Sequence, residues 1–266
     1  MALILRCRDL EDAGLTVAAL YGVSVGELER ALPVAARHAQ EDQEDPIGAL
    51  TGVLAAALER NAATPASIHY FHGTRASEPG RFKREGLRPL GQVLDSLWQE
   101  VGALVPELSD AQLHSLRADL AGGQIGPHTY SLRVEDDLHH GPCGHLLRDV
   151  FLHPDAYASV DYLAGAEIVI DICQAIEERT GLDATARYQQ ATTPCVVEFS
   201  VATSHFDQAL AAALWYLAAG LRGERSMNGN WSYCADGEPL PAHTIVSVFS
   251  TRELRSASRR DRRPAG

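Results

Sequence analysis

No apolar run in the 266 residues approaches the roughly 20 that a helix needs to cross a bilayer. The first residues, Met1 to Arg8, also lack the uncharged apolar centre of a secretory leader, because Arg6 and Arg8 break it. The expectation is therefore a cytoplasmic protein with no membrane partner. Cysteines are few: Cys7, Cys143, Cys173, Cys195 and Cys234 are odd in number and far apart, which speaks for reduced thiols over a disulfide framework. Cys173 and Cys195 lie in apolar sequence and are expected to be buried. Positive charge is also short, with 23 Lys and Arg against 35 Asp and Glu and a net charge of -12. A field of that sign repels a phosphate backbone and argues against tight, non-specific capture of nucleic acid. What is present, 45% hydrophobic and 22% charged residues, suffices for one large domain or a domain with a helical extension.

From Asp9 to about Arg60 the apolar residues recur at helical spacing, and residues 1–65 read as an N-terminal helical segment. Ser24 and Glu27 form a capping box, the acidic stretch Glu41 to Asp45 reads as a linker, and Pro46 opens a further helix. The ordinary role of such a segment is to brace a neighbouring domain.

The stretch that organises the rest is Ser67-Ile68-His69-Tyr70-Phe71-His72-Gly73-Thr74-Arg75. Bulky, β-favouring residues stop abruptly at Gly73, as in a short buried strand ending in a His-Gly-Thr turn. Arg81 to Glu85 then makes one or two helical turns, ended by Gly86 before Leu87 and Leu90 return to the core. His72 and Gly73 would lie at the mouth of a cleft. Arg75, Arg81, Lys83, Arg84 and Arg88 suit a local basic lining for a pyrophosphate, although each alone is better read as a solvated charge.

Further on, helices are expected over Leu90 to Val101, with Trp98 on the apolar stripe, and over Ser109 to Leu120. Asp149 to Pro154 reads as a short strand, and Val160 to Thr180 as a long helix carrying Tyr162 near its start. Pro194 to Val201 reads as an interior strand containing Glu198, Ala202 to Gly220 as a helix, and Thr244 to Phe249 as a final strand preceded by the turn Gly237-Glu238-Pro239. Residues 253–266 form an Arg-rich tail expected to be disordered.

The strand ending in His72-Gly73-Thr74, the Gly86-Leu87 pair after it, and the Tyr and Glu blocks that follow resemble the His-Tyr-Glu class of ADP-ribosyltransferases, which includes diphtheria toxin and the poly(ADP-ribose) polymerases. The resemblance implies an α+β fold with a split antiparallel β-sheet core over residues 66–252, and NAD as substrate. It implies that His72 hydrogen-bonds the ribose beside nicotinamide, that the Gly73 backbone holds the nicotinamide amide, and that Thr74 and Arg75 complete the binding strand. Tyr162, with Tyr157 in reserve, would stack on nicotinamide. The catalytic acid would be Glu238, by its position before the last strand, or Glu198. A carboxylate is needed because loss of nicotinamide passes through an oxocarbenium-like state. ADP-ribose would go to a protein, a nucleic acid, a small molecule or water, in a toxin, a defence factor or a housekeeping enzyme.

Two other readings stand beside this one. A non-catalytic nucleotide-binding module of the same fold would have no acid at the nicotinamide end. A metal-dependent hydrolase would use the block His139-His140-Gly141-Pro142-Cys143-Gly144-His145. Its Cys-x-His spacing and lack of a second Cys pair argue against a metal site there, so no metal ligands are assigned.

Overall fold

The computed structural model describes residues 2–41, 45–127, 129–136, 140–157, 159–225, 229–251 and 253–254. Residues 255–266, most of the Arg-rich tail, therefore lie outside the described residues, as do His128, His139 and Ser226 to Asn228.

The chain is a mixed helix and sheet protein. Its elements are β1 (Ile4–Leu5), α1 (Leu10–Tyr21), α2 (Val25–Gln40), α3 (Pro46–Leu58), β2 (Ser67–Ala76), α4 (Arg81–Glu85), α5 (Leu90–Gly102), α6 (Asp110–Ala121) and α7 (Thr129–Glu135). After these come β3 (Cys143–His145), α8 (Glu167–Thr180), α9 (Ala184–Ala191), β4 (Thr193–Val201), α10 (Phe206–Gly220), β5 (Ser232–Cys234) and β6 (Ile245–Ser250). The six strands order as β5-β3-β2-β4-β6, with β1 also pairing β2. β1 runs parallel to β2, placing Ile4 beside Ser67 and Leu5 beside Ile68, whereas β3 is antiparallel to β2 with Phe71 opposite His145. The sheet is therefore not purely antiparallel.

Local chemistry explains most helix ends. Ser24 and Glu27 form the expected capping box at α2, and Ser109 and Gln112 form another at α6. Pro46 opens α3 behind the Asp45 cap, where its missing N–H costs nothing.

Three expectations fail. β2 does not end in a His-Gly-Thr turn: it runs on through Gly73 and Thr74 to Ala76, so these residues are mid-strand. Arg148–Phe151 and Pro154–Tyr157 are short 3-10 turns, not a strand. The helix expected from Val160 begins only at Glu167. The Asp161 carboxylate accepts from the backbone N–H groups of Leu163 and Ala164 at 3.1 and 3.2 Å, offering the chain a turn in place of a helix. A side chain on Gly165 would come within 2.6 Å of Ile170, so the bend is packed tightly.

The chain divides into two compact units. One comprises residues 1–71, 144–160 and 198–233. Its centre is α10, buried along almost its whole length from Ala209 to Ala219 and packed against α1, α2 and α3. A helix apolar all round has to be enclosed in this way. Tyr70 on β2 stacks near Phe199 on β4 and Tyr233 on β5 in the same unit.

The other unit comprises residues 72–143, 161–197 and 234–266. Helices α5 to α9 supply its core, with Trp98, Leu116, Ile172 and Ile176 enclosed. The Trp98 indole N–H donates to the Tyr130 hydroxyl at 3.0 Å, so this ring is a core residue. Gly86 closes α4 at φ 79° and ψ -161°, a region that essentially only glycine occupies. Leu87 there pairs antiparallel with Leu240.

Candidate functional site

β2 delivers His72 on its outer half, with the imidazole half-buried. Its Nδ1 lies 2.7 Å from the carbonyl oxygen of Cys143, the first residue of β3. A carbonyl only accepts, so Nδ1 carries the proton and Nε2 presents a lone pair. Desolvation pulls the His72 pKa below its ordinary value, and the carbonyl bond opposes this only in part. The ring is a neutral acceptor at physiological pH, which suits it to receive a hydrogen bond from a sugar hydroxyl.

Arg75, three residues along the same strand, makes four hydrogen bonds to the protein. Its guanidinium donates to the carbonyls of Leu163 and Gln189, each at 2.6 Å, to the Thr192 carbonyl at 2.8 Å and to the Thr192 hydroxyl at 3.0 Å. It is committed to binding the chain itself rather than to receiving a pyrophosphate. The other cations proposed to line a basic cleft are engaged as well: Arg81 with Glu100, Arg84 with Glu78, Arg88 with Glu85, and Lys83 with the Val246 carbonyl. A cluster of basic letters in sequence has become a set of ion pairs. Gly73 and Thr74 are buried on the strand.

What Arg75 holds is the turn 161–166 that carries Tyr162. Gln189 adds a side-chain bond to the Ala164 carbonyl at 3.1 Å. Burial pushes the Tyr162 hydroxyl up to about 12, reinforced by Glu167 and by the Cys143 thiol, with Arg133 opposing. Arg133 pairs with Glu167 at 2.7 Å and also with Asp171, so Glu167 is part of an ion-pair cluster.

The turn containing Glu238 joins the same corner. Ala235 donates its backbone N–H to the Pro142 carbonyl at 3.0 Å, and Gly237 donates to the Gly141 carbonyl at 2.9 Å. Glu238 closes the turn by donating its own N–H to the Ala235 carbonyl at 2.9 Å, leaving its carboxylate exposed. Desolvation and the Cys234 thiol raise the Cys143 thiol pKa, and the charge of Asp236, two residues before Glu238, adds to this. Sequence reasoning overlooked Asp236. The signal was there in the run Ala235-Asp236-Gly237-Glu238, which offers two acids in one turn.

Glu198 and Tyr157 belong to the other unit. Glu198 is fully buried on β4: one oxygen lies 2.8 Å from His69 Nδ1, and the other takes two bonds from Arg8 at 2.7 and 3.1 Å. Burial alone would raise its pKa, but those hydrogen bonds and the Arg8 charge hold it below the usual carboxylate range. The acid has a purpose, and that purpose is holding β2, β4 and the segment that follows β1 to one another. Tyr157 ends a 3-10 turn, 6% exposed, with its hydroxyl pKa raised by burial.

The described histidines of the block, His140 and His145, face separate partners. His140 Nε2 lies 3.3 Å from the Val134 carbonyl, while His145 Nδ1 faces Asn230 and Ser232 at 2.9 and 3.1 Å. Among the described residues, no three His, Cys, Asp or Glu side chains stand where they could share a metal ion. The block yields something else that spacing gave no hint of: the Cys143 and Cys234 sulfurs are 2.7 Å apart, although 91 residues separate them. No family model, curated protein or solved structure matches this chain.

Proposed function

We propose that the protein is an NAD-dependent ADP-ribosyltransferase or NAD glycohydrolase whose site is the corner formed by His72, Tyr162 and the 235–238 turn. The observation that carries this reading is the Nδ1 bond from His72 to the Cys143 carbonyl, which aims a neutral acceptor nitrogen away from the strand. In this role Nε2 accepts a hydrogen bond from a hydroxyl of the ribose next to nicotinamide. The Tyr162 ring stacks on the departing pyridine, and the Gly73 backbone holds its amide. Nicotinamide departs with the electrons of the glycosidic bond, and a carboxylate opposite the sugar steadies the positive charge that remains. Glu238 and Asp236 are the acids available for that duty, and either can take the proton from the incoming water or acceptor hydroxyl. The split antiparallel core belongs to the same proposal.

The fate of Glu198 favours a second reading, a nucleotide-binding module without turnover. The strand acid is locked between His69 and Arg8, which leaves catalysis to acids on an exposed turn.

Incubation with NAD labelled in the adenosine half, following nicotinamide and label separately, tests both readings. Release of nicotinamide that His72→Ala abolishes, while folding is kept, supports the enzyme. Binding of NAD by calorimetry without release supports the module, and neither binding nor release overturns the proposal.

A further inference from the structure

We propose that Cys143 and Cys234 form a reversible dithiol–disulfide pair that controls how firmly His72 is held, and so regulates the site described above; this inference rests on that reading. Cys143 opens β3 and Cys234 closes β5, and these strands are neighbours in the sheet. The Ala235 N–H bond to the Pro142 carbonyl, 3.0 Å, fixes the register at one end, and the Leu146 N–H bond to the Trp231 carbonyl, 2.8 Å, fixes it at the other. Counting inward from either bond puts residues 143 and 234 directly opposite each other, at a position that itself lies between ladder bonds. At such positions of an antiparallel pair the α-carbons approach to about 4.5 Å and the side chains are closest. The 2.7 Å between the sulfurs agrees with that register. Bonding them requires no change of strand pairing.

Access favours this pair over the remaining thiols. Cys143 is exposed and Cys234 half-buried, whereas Cys7, Cys173 and Cys195 are buried. The connection to function is short, because the residue whose sulfur would be bonded is also the residue whose carbonyl accepts from His72. With the sulfurs joined, the start of β3 is fastened to β5 and its carbonyl cannot drift. With the thiols free, only backbone bonds hold it.

The oxidant would be a low-molecular-weight disulfide such as oxidised glutathione. One cysteine attacks it as the thiolate, forms a mixed disulfide and releases one small thiol. The second cysteine then displaces the other half. Two protein thiols are oxidised, one small disulfide is reduced to two thiols, and the two protons pass to those products. Although the residue is exposed, the thiol itself is partly desolvated beside Cys234, and this with the neighbouring thiol pushes the Cys143 pKa up, which slows attack by that sulfur at neutral pH.

The test uses the full chain in a glutathione redox buffer, mildly alkaline, with Cys143→Ser and Cys234→Ser alongside. Expected are loss of two hydrogen atoms by intact mass, a mapped 143–234 crosslink absent from both serine variants, and a melting temperature raised by about 5–15 °C. The His72 imidazole titration, followed by NMR, should differ between the oxidised and reduced wild type and stay unresponsive to oxidant in the serine variants. Failure to form the crosslink overturns the proposal, and so does a crosslink that leaves the His72 titration unchanged. Nicotinamide release is assayed in parallel. Its absence in both redox states would count against the enzymatic reading alone, since neither the crosslink nor the imidazole titration requires NAD.

Discussion

The guanidinium of Arg75 stands 2.6 Å from the carbonyl oxygen of Leu163, the residue that follows Tyr162. A cation that the sequence suggested for a ligand thus binds the protein's own turn, and the aromatic side chain on that turn is placed by it.

Arg75→Ala removes four bonds that are all donated by one charged group. Charge-assisted hydrogen bonds contribute about 1.5–3 kcal/mol each when buried, and partial exposure discounts the sum, so a loss of about 3 kcal/mol is expected. Hydrogen exchange should show the amides of 161–166 opening at least about tenfold faster, while those of α10 stay protected. An unchanged exchange rate in that turn would refute the positioning role.

The depressed His72 pKa makes stability depend on pH in a definite direction. In the unfolded chain the imidazole takes a proton near its ordinary value, about 6.5, while the folded chain resists it. The unfolded state therefore binds more protons below that value, and stability falls as pH drops from about 6.5 toward the folded pKa. His72→Gln should flatten this slope, as read from denaturant midpoints at several pH values. A variant with the same slope as the wild type would place the titration elsewhere.

Glu198 shows the carboxylate counterpart. Its folded pKa is held low, so its contribution is present above about 4.3 and is lost as pH falls through the folded value. Glu198→Gln removes the buried charge that Arg8 and His69 both bond and should cost about 3 kcal/mol in urea unfolding. In a double-mutant cycle with Arg8→Met the two losses should fall short of additive, since both variants break the same ion pair.

Gly86 and Gly181 form a matched pair for testing close packing. Both have positive φ, but a side chain at Gly86 would come within 2.0 Å of the Leu240 carbonyl oxygen, whereas one at Gly181 meets nothing within 4 Å. Gly181→Ala should cost about 1 kcal/mol, the price of the left-handed conformation alone. Gly86→Ala should cost about 3 kcal/mol or more, because the backbone must also move apart. Equal losses would mean that the approach of Leu240 is not tight in solution.

Much of this fold was legible. The capping box at Ser24, the Pro46 start, the strand through His72 and the apolar strand Thr193–Val201 all rest on local chemistry that short windows of sequence contain. The start of α8 was not, because a helical apolar spacing from Val160 onward competes with the Asp161 turn, and periodicity does not reveal which wins. The two-residue strand β1 was missed for a different reason, since Ile4–Leu5 becomes a strand only through Ser67 and Ile68. At the site, His72 stood out because Gly73 follows it. The partners of Arg75 and the Cys143–Cys234 contact were invisible, as they join residues 88 to 117 and 91 positions apart. Short-range pattern carries no information on such distances.

The bond from Arg8 to Glu198 bears on how the molecule can be divided for experiment. A fragment starting near residue 66 would keep His72 and the later strands, yet it would strip the cation from an acid that no water can reach, along with the strand beside Ser67. Expression trials that truncate the chain past the leading helices lose Arg8 with them, and should therefore replace Glu198 with an uncharged residue at the same time.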